Sequence, residues 1–431
     1  MNRPRAAPWA RTAFAAALAV HLLLVASLPT GWLDPLFNDC THRGAPGSDF
    51  HVVWKAGRNL WRGESPYRID AREDPPSWGD YRYLPLSALT ISVVAAAFPP
   101  RTARIGWIVI NELLLAAAVL ATLRLAPDRS TGRLAAALWL AFTPYYVELF
   151  IGQLDFFLAV GFLGVAAALL GRGGRLGPAA WLTATTFKWA GAALLPLLLE
   201  RRRFKAPALW AATSLGTAAL WFAARPEDWA RFRSTILRGG FATPHAGNYG
   251  LQALVSSTMT FLSPGVFGDL SRWAEHGRLV LSYVLAERIL LFAAGGLALA
   301  ATFLGKRRLT VGEGVALWTS LLAVGWNEFW EHQYVLLLPG LVLLVIEGRR
   351  RLALSVWVPL ALPTLFALFD RPHAEVVAAM PAGYDNPDLF ILLSPLQNLA
   401  LHLTKAVPAL VLFLAVACSA WRAPAGGEES V

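Results

Sequence analysis

Charge is scarce in this sequence and cysteine is nearly absent. Only 15% of the 431 residues are charged, whereas 56% are hydrophobic, and the mean hydropathy is +0.48. A soluble chain of this length needs more polar surface to cover its core. The only cysteines are Cys40 and Cys418, which argues against a disulfide framework and against a thiolate metal site.

Motifs of soluble enzymes are also missing. The chain has no glycine loop for phosphates, no His-Glu-x-x-His motif and no Gly-x-Ser-x-Gly elbow. The net charge of +10 does not indicate nucleic acid, because arginines cluster between apolar runs, as in 201–205, 306–308 and 349–351. The positive-inside rule places such clusters in cytoplasmic loops. We therefore expect membrane lipids as partners and no nucleic acid.

What the sequence does have is long apolar runs. Each is about 17–25 residues, the length that a helix needs to cross the hydrocarbon. They predict an all-α polytopic integral membrane protein, a single membrane domain over 1–431 with about twelve transmembrane helices. The runs are 12–30, 83–99, 104–125, 134–151, 154–171, 176–199, 206–224, 279–304, 311–327, 333–347, 352–369 and 396–421. The first is too long for a signal peptide and has no clear cleavage site, so we interpret it as a spanning helix.

Two long polar segments, 31–82 and 225–278, interrupt these runs, and a shorter one lies at 370–395. Strict alternation from a cytoplasmic amino terminus places both long loops outside, with the clusters 201–205, 306–308 and 349–351 inside. Long loops beside tight turns are usually functional.

Strict alternation has one defect, which leaves two orientations open. It places the arginines of 124–133 and 172–175 outside. If 83–99 re-enters the membrane and 176–199 breaks, these arginines move inside. Both schemes keep the two long loops outside.

Each long loop contains a helical pattern of apolar residues. The first has Phe50, Val53, Trp54, Leu60 and Trp61, and the second has Trp229, Phe232 and Ile236. Polar residues fall between them, which predicts amphipathic helices lying along the membrane surface with tryptophan at the headgroups.

Four polar residues, one in the first loop and three at the break between the runs 134–151 and 154–171, could carry chemistry. Asp49 starts the first surface helix, where it could cap the helix or act as a general base at the membrane surface. Glu148, Gln153 and Asp155 flank a glycine break between two apolar runs. A polar turn at the interface and a functional cluster are both open for these three.

Lys188 lies in the middle of the run 176–199. A lysine there costs roughly 2.5–3.5 kcal/mol on insertion scales, which marks it as a functional candidate. Snorkelling is the alternative, but Lys188 is about a dozen residues from either end, too far for its stem. A buried cation of this kind could hold a phosphate.

A last group of candidates lies between two later runs. Glu328, Glu331 and His332 are surrounded by aromatic residues. They could be ordinary polar members of an interfacial aromatic belt, or His332 could offer a hydrogen bond or positive charge to an anionic head group. His21 and His402 sit singly in apolar runs, and we expect both to be structural.

Taken in order, these segments resemble the GT-C glycosyltransferases, in particular glycosyltransferase family 87, over most of the chain to about residue 345. The stretches that carry the resemblance are 49–60, Gly63-Glu64-Ser65-Pro66-Tyr67, Tyr83-Leu84-Pro85-Leu86, Gly152-Gln153, Phe187-Lys188, Gly247-Asn248 and Trp330-Glu331-His332. Departures from the family's pattern are Leu86 for a proline, Asp155 for an asparagine, and Asn248-Tyr249-Gly250 for Asn-Gln-Ser.

The resemblance implies a GT-C-like bundle that transfers a hexose, with mannose expected, from a polyprenyl-phosphate sugar to a lipid or glycan acceptor. The reaction would be inverting and at the outer face of the inner (plasma) membrane, with Asp49 as the base. We expect Lys188 and His332 to stabilise the leaving phosphate.

Gln153, Asp155, Glu331 and Asn248 complete the substrate-binding candidates. No cofactor is expected, and no metal, although Asp49 with Asp155 could bind one. One alternative function is a transporter or flippase of an amphipathic lipid-linked substrate, since intramembrane charges fit that class too. A second is a non-catalytic assembly partner within a polysaccharide complex.

The two native cysteines test the topology. Cys40 lies in the first long loop and Cys418 near the inner end of the last run. A membrane-impermeant maleimide applied to intact cells should therefore label Cys40 and spare Cys418, with permeabilised cells as the control. Labelling of Cys418 alone would invert the topology.

Overall fold

The computed structural model describes residues 8–34, 46–70, 72–77, 79–172, 176–237, 248–263, 277–326, 329–364, 372–379 and 393–422. In these ranges the regular structure is helical, and the pairing of extended segments is a single antiparallel bridge between Asn248 and Trp330. Cys40, Glu328, residues 238–247 and residues 264–276 lie outside the described ranges.

The chain forms two compact units. The first comprises residues 1–22, 44–141 and 145–240, and the second comprises residues 23–43, 142–144 and 241–431. The helices up to residue 240 are Pro8–Ser27, Ser48–Trp61, Pro85–Ala96, Pro100–Leu125, Arg129–Leu140, Thr143–Ile151, Asp155–Leu169, Leu176–Phe187, Trp189–Leu194, Leu195–Glu200, Lys205–Trp210, Ala211–Leu215, Gly216–Ala224 and Pro226–Leu237. Those that follow are Leu251–Leu262, Gly277–Phe303, Val311–Gly325, Glu331–Leu337, Leu338–Ile346, Arg350–Ala361, His373–Ala379 and Pro395–Ser419.

Four segments among the described residues are long and apolar enough, by length and composition, to cross a membrane. They are Pro8–Ser27, Pro100–Leu125, Arg129–Ile151 and Pro395–Ser419. This confirms the prediction of a helical membrane protein. The predicted count of about twelve is not supported by helix length, because several apolar runs are divided. The run 83–99, for example, forms only the short helix Pro85–Ala96.

The first polar segment contains the predicted helix, Ser48–Trp61, here called the loop helix. Phe50, Val53 and Trp54 on its apolar face are buried within the protein, and its polar face is covered by the remainder of the same loop. Nζ of Lys55, wholly buried, donates to the carbonyl of Asp70 at 2.6 Å. Asn59 Nδ2 donates to the carbonyl of Arg68 at 2.7 Å. Trp61 is 64% exposed.

The second polar segment brings its helix, Pro226–Leu237, against the first loop. The buried carboxylate of Asp228 accepts hydrogen bonds from the hydroxyl of Ser65 and, at 2.9 Å, from Nε1 of Trp221. The rings of Tyr67 and Phe232 meet edge to face with centroids 5.6 Å apart. The helix at the start of the second loop therefore packs against the first loop. The side of the membrane on which they lie stays a prediction.

Three regions predicted on the opposite side meet in the second unit. Arg307 and Arg349, from two arginine clusters, both pair with the buried carboxylate of Glu313, Arg307 Nη1 at 2.8 Å. Nε of Arg307 donates to the carbonyl of Ser419, near the carboxyl end of the last helix, at 2.8 Å. The two arginine clusters and the carboxyl end of the last helix therefore lie together, as expected for segments on the same side of a membrane.

Candidate functional site

The site in the first unit is built around Asp49. This residue is the second of the loop helix and is half-buried. The N-cap is Gly47, so Asp49 is not the capping residue that the structural interpretation required. Its Oδ2 accepts a hydrogen bond of 2.8 Å from Nε2 of Gln153, 104 positions further along the chain.

Two glycines bring Gln153 to Asp49. Gly152 has φ +80°, and a Cβ there would lie 2.4 Å from Cβ of Phe50, so only glycine fits. Gly47, with φ +78°, donates its N–H to the carbonyl of Phe150 at 2.8 Å. The loop helix therefore starts directly against the end of the helix Thr143–Ile151.

The electrostatic surroundings of Asp49 suit a base. Burial raises the pKa of Asp49 to about 6, although the hydrogen bond from Gln153 and the charges of Lys188 and Arg82 lower it, while Asp155 raises it. A base works best when its pKa lies near the operating pH, because it is then ionised yet still able to take a proton.

Lys188 is at a helix break, not within a continuous span. It is extended, with φ −146° and ψ 119°, between the helix Leu176–Phe187 and the 3₁₀ helix Trp189–Leu194. This is the interruption of 176–199 that the second topology scheme requires. Nζ of Lys188 lies 2.8 Å from Oδ2 of Asp155, which is wholly buried. Lys188, which was predicted to bind a phosphate, therefore already has a counter-ion.

The segment Tyr83-Leu84-Pro85 fixes both parts of the site. The hydroxyl of Tyr83 donates to Oε1 of Gln153 at 3.1 Å, which orients the amide so that its nitrogen faces Asp49. The hydroxyl of Ser87 lies 2.6 Å and 3.0 Å from the carbonyl oxygens of Thr186 and Phe187, just before Lys188. Its single O–H donates to these carbonyl oxygens at the helix break, with the shorter distance to that of Thr186.

Glu148 has a different position from its two neighbours in the sequence. It is fully buried, and Oε1 accepts a 2.7 Å hydrogen bond from the N–H of Phe156 in the first turn of the helix Asp155–Leu169. Among the described residues its Oε2 has no hydrogen-bond partner. Glu148 thus stabilises a helix start, while Gln153 and Asp155 reach Asp49 and Lys188.

A second group of predicted residues lies in the second unit. Oδ1 of Asn248 accepts from the N–H of Phe329 at 2.9 Å, and the N–H of Tyr249 donates to the carbonyl of Phe329 at 2.8 Å. This pairing fixes the start of the 3₁₀ helix Glu331–Leu337, where Glu331 and His332 are both buried. Asn248 therefore holds the backbone beside His332.

Glu331 has a partner that sequence reasoning missed. Its Oε1 lies 3.3 Å from Nζ of Lys405 and accepts a 3.1 Å hydrogen bond from the N–H of Thr364. Nζ of Lys405 also donates to the carbonyl of Leu360 at 3.0 Å. Lys405 lies within the run 396–421, so the argument that selected Lys188 as an intramembrane cation could have found it.

The two histidines expected to be structural each have a buried partner. Nδ1 of His21 is 2.7 Å from the hydroxyl of Tyr146, and Nδ1 of His402 is 2.9 Å from that of Ser257. Across the described ranges, no group of three or more His, Cys, Asp or Glu side chains could hold a metal ion. Metal independence stays a prediction.

Long apolar helices with charged side chains at their breaks define an integral membrane protein with a polar site. The sequence profile of glycosyltransferase family 87 matches residues 81–339, more than half of the chain. The chain therefore belongs to glycosyltransferase family 87 and is a membrane glycosyltransferase, as the resemblance indicated. No curated protein matches it.

The matched range contains Gln153, Asp155, Lys188 and the segment around His332, but it begins after Asp49. Asp49 is joined to the matched region by geometry, through the hydrogen bond from Gln153. Its role therefore depends on its surroundings in the structure and not on the profile.

The Glu331–Lys405 pair predicts a stability effect. Lys405→Met would leave a buried carboxylate without its counter-ion and should destabilise the protein by about 3–5 kcal/mol. Adding Glu331→Gln to this variant removes the unpaired carboxylate charge and should restore most of the lost stability. The unfolding temperature in detergent measures both, with the exposed Lys205→Met as the control. Equal unfolding temperatures for Lys405→Met and the wild type would contradict a stabilising pair.

Proposed function

We propose that this glycosyltransferase moves a hexose, with mannose expected, from a polyprenyl-phosphate sugar to a lipid or glycan acceptor. The reaction takes place at the outer face of the inner membrane. The shorter apolar helices complete a GT-C-like bundle of about twelve crossings. The observation that carries the proposal is Asp49, a half-buried carboxylate whose pKa burial raises to about 6 and which lies near the ammonium of Lys188.

The chemistry follows from these groups. Asp49 takes the proton of the acceptor hydroxyl, whose oxygen forms a bond to the anomeric carbon of the donor sugar. The bond from that carbon to the phosphate oxygen breaks, and its electron pair stays on the phosphate. Attack opposite the leaving group inverts the configuration. Lys188 stabilises the charge that grows on the phosphate.

The donor class has two supports. Nucleotide sugars are not supplied at the outer face, so the donor there must be linked to lipid. A phosphate held in the membrane also suits Lys188, because pairing offsets the cost of burying each charge. His332 is a second candidate for binding an anionic group.

Asp49→Asn tests the base. Asparagine can still accept the hydrogen bond but cannot take the proton, so turnover should fall by about 10²–10⁴-fold while the protein still accumulates. In the wild type, kcat/KM should decrease as the pH falls below about 6, because protonated Asp49 cannot act as the base. The Asp49→Asn variant should not show this decrease in kcat/KM at low pH. Asp70→Asn, at an exposed position in the same loop, is the control. Near-normal transfer by Asp49→Asn would contradict the assignment of Asp49 as the base.

The donor and Lys188 can be tested together with purified protein in nanodiscs. Labelled polyprenyl-phosphate-mannose should support transfer to a membrane lipid extract, whereas GDP-mannose without a lipid-linked intermediate should not. Lys188→Ala should weaken donor use strongly, and Lys188→Arg should stay partly active because it keeps the charge.

Lys188→Ala also removes the ammonium that faces Asp155, so a loss could arise from misfolding. The double variant Lys188→Met/Asp155→Asn provides a neutral pair as the control and should also lose donor use. Transfer directly from GDP-mannose would refute the donor class. Wild-type activity in Lys188→Ala would refute the phosphate role alone.

A further inference from the structure

Because Lys188 is already paired with Asp155, a phosphate that binds Lys188 would compete with Asp155 for the same ammonium. Asp155 is wholly buried, whereas the side chain of Lys188 retains 15% of its exposure. The lysine side chain is therefore partly accessible, whereas its carboxylate partner is not. A phosphate that reaches Lys188 must share or displace Asp155.

Asp155 is held in place by close helix packing. A Cβ on Gly177 would lie 2.1 Å from the carbonyl oxygen of Gly164, and one on Gly161 would lie 2.8 Å from Cβ of Ala184. The helices Asp155–Leu169 and Leu176–Phe187 therefore meet backbone to backbone. Because these helices carry Asp155 and lead into Lys188, the carboxylate stays within reach when a ligand binds.

The cation that would bind an anion already has anionic neighbours. Asp155 and Asp49 both lie near Lys188, and Arg82 is a further cation near Asp49. A donor phosphate thus gains the attraction of Lys188 but loses part of it to Asp155.

We propose that Asp155 is the resident counter-ion of Lys188: the donor phosphate displaces it, and it reclaims the ammonium when the product leaves. This inference rests on the proposed function. Transfer breaks the bond between the anomeric carbon and the phosphate oxygen, and the electron pair stays on that oxygen. The product phosphate therefore carries one more negative charge than the donor and binds Lys188 more strongly.

Asp155 weakens this product complex because it offers Lys188 an alternative partner of fixed position. Asp155 is thus a positioning residue that acts through Lys188, and it sets donor affinity and product release. Without it, the enzyme should bind both ligands more tightly and turn over more slowly.

The test is direct binding of a short-chain polyprenyl phosphate to the full-length protein in nanodiscs. Asp155→Asn should bind this product about tenfold more tightly than the wild type, with a smaller gain for polyprenyl-phosphate-mannose, because the product bears more charge. Both KM for the donor and kcat should fall, and added polyprenyl phosphate should inhibit at lower concentrations. Asp155→Glu keeps the charge and should not tighten binding of the product.

Unchanged or weaker product binding in folded Asp155→Asn would overturn the inference, as would equal tightening in Asp155→Glu. If the asparagine variant does not fold, Asp155→Ser takes its place under the same criteria. A wild type that neither binds polyprenyl phosphate nor transfers from a polyprenyl-phosphate sugar would instead defeat the proposed function. The two failures are therefore distinguishable.

Discussion

A helix that breaks inside an apolar bundle exposes backbone groups that water cannot satisfy, and the described part of this fold depends on closing such breaks with side chains. The hydroxyl of Ser87 is within hydrogen-bond distance of the carbonyl oxygens just before Lys188. Glu148 accepts a hydrogen bond from the backbone N–H of Phe156. In the second unit Lys405 donates to the carbonyls that end the helix Arg350–Ala361. At these three breaks a polar side chain supplies a hydrogen-bond partner to backbone groups that the break leaves open.

The same constraint explains why the candidate site lies at breaks. An extended residue such as Lys188 releases its side chain from the helical surface and directs it to Asp155. The glycine at 152 turns the chain so that Gln153 faces Asp49. The candidate side chains are thus placed by irregularities of the backbone, and the backbone groups at the break before Lys188 have a hydrogen-bond partner nearby.

The sequence predicted the parts of this arrangement that follow from composition and spacing. Apolar runs predicted a helical membrane protein, and the residues 50–61 predicted a helix. What it could not predict is which polar residues meet, because hydrogen bonds such as Gln153–Asp49 join positions far apart in the chain. Lys55 and Asn59 were expected on an open polar face, but residues of the same loop cover them. The pairing of Lys188 with Asp155 was also invisible to reasoning that considered each charge alone.

The hydrogen bond from Gly47 to Phe150 has a consequence for biosynthesis. Its two ends are about a hundred residues apart, and Lys188 follows still later. During synthesis the loop helix therefore emerges well before the segments that hold its first turn. Its contacts with them can form only after several later helices have entered the bilayer. The carboxylate of Asp49 acquires its surroundings only when those helices have been inserted. A ribosome-bound chain that stops before residue 150 would carry Asp49 in a loop that has no fixed start.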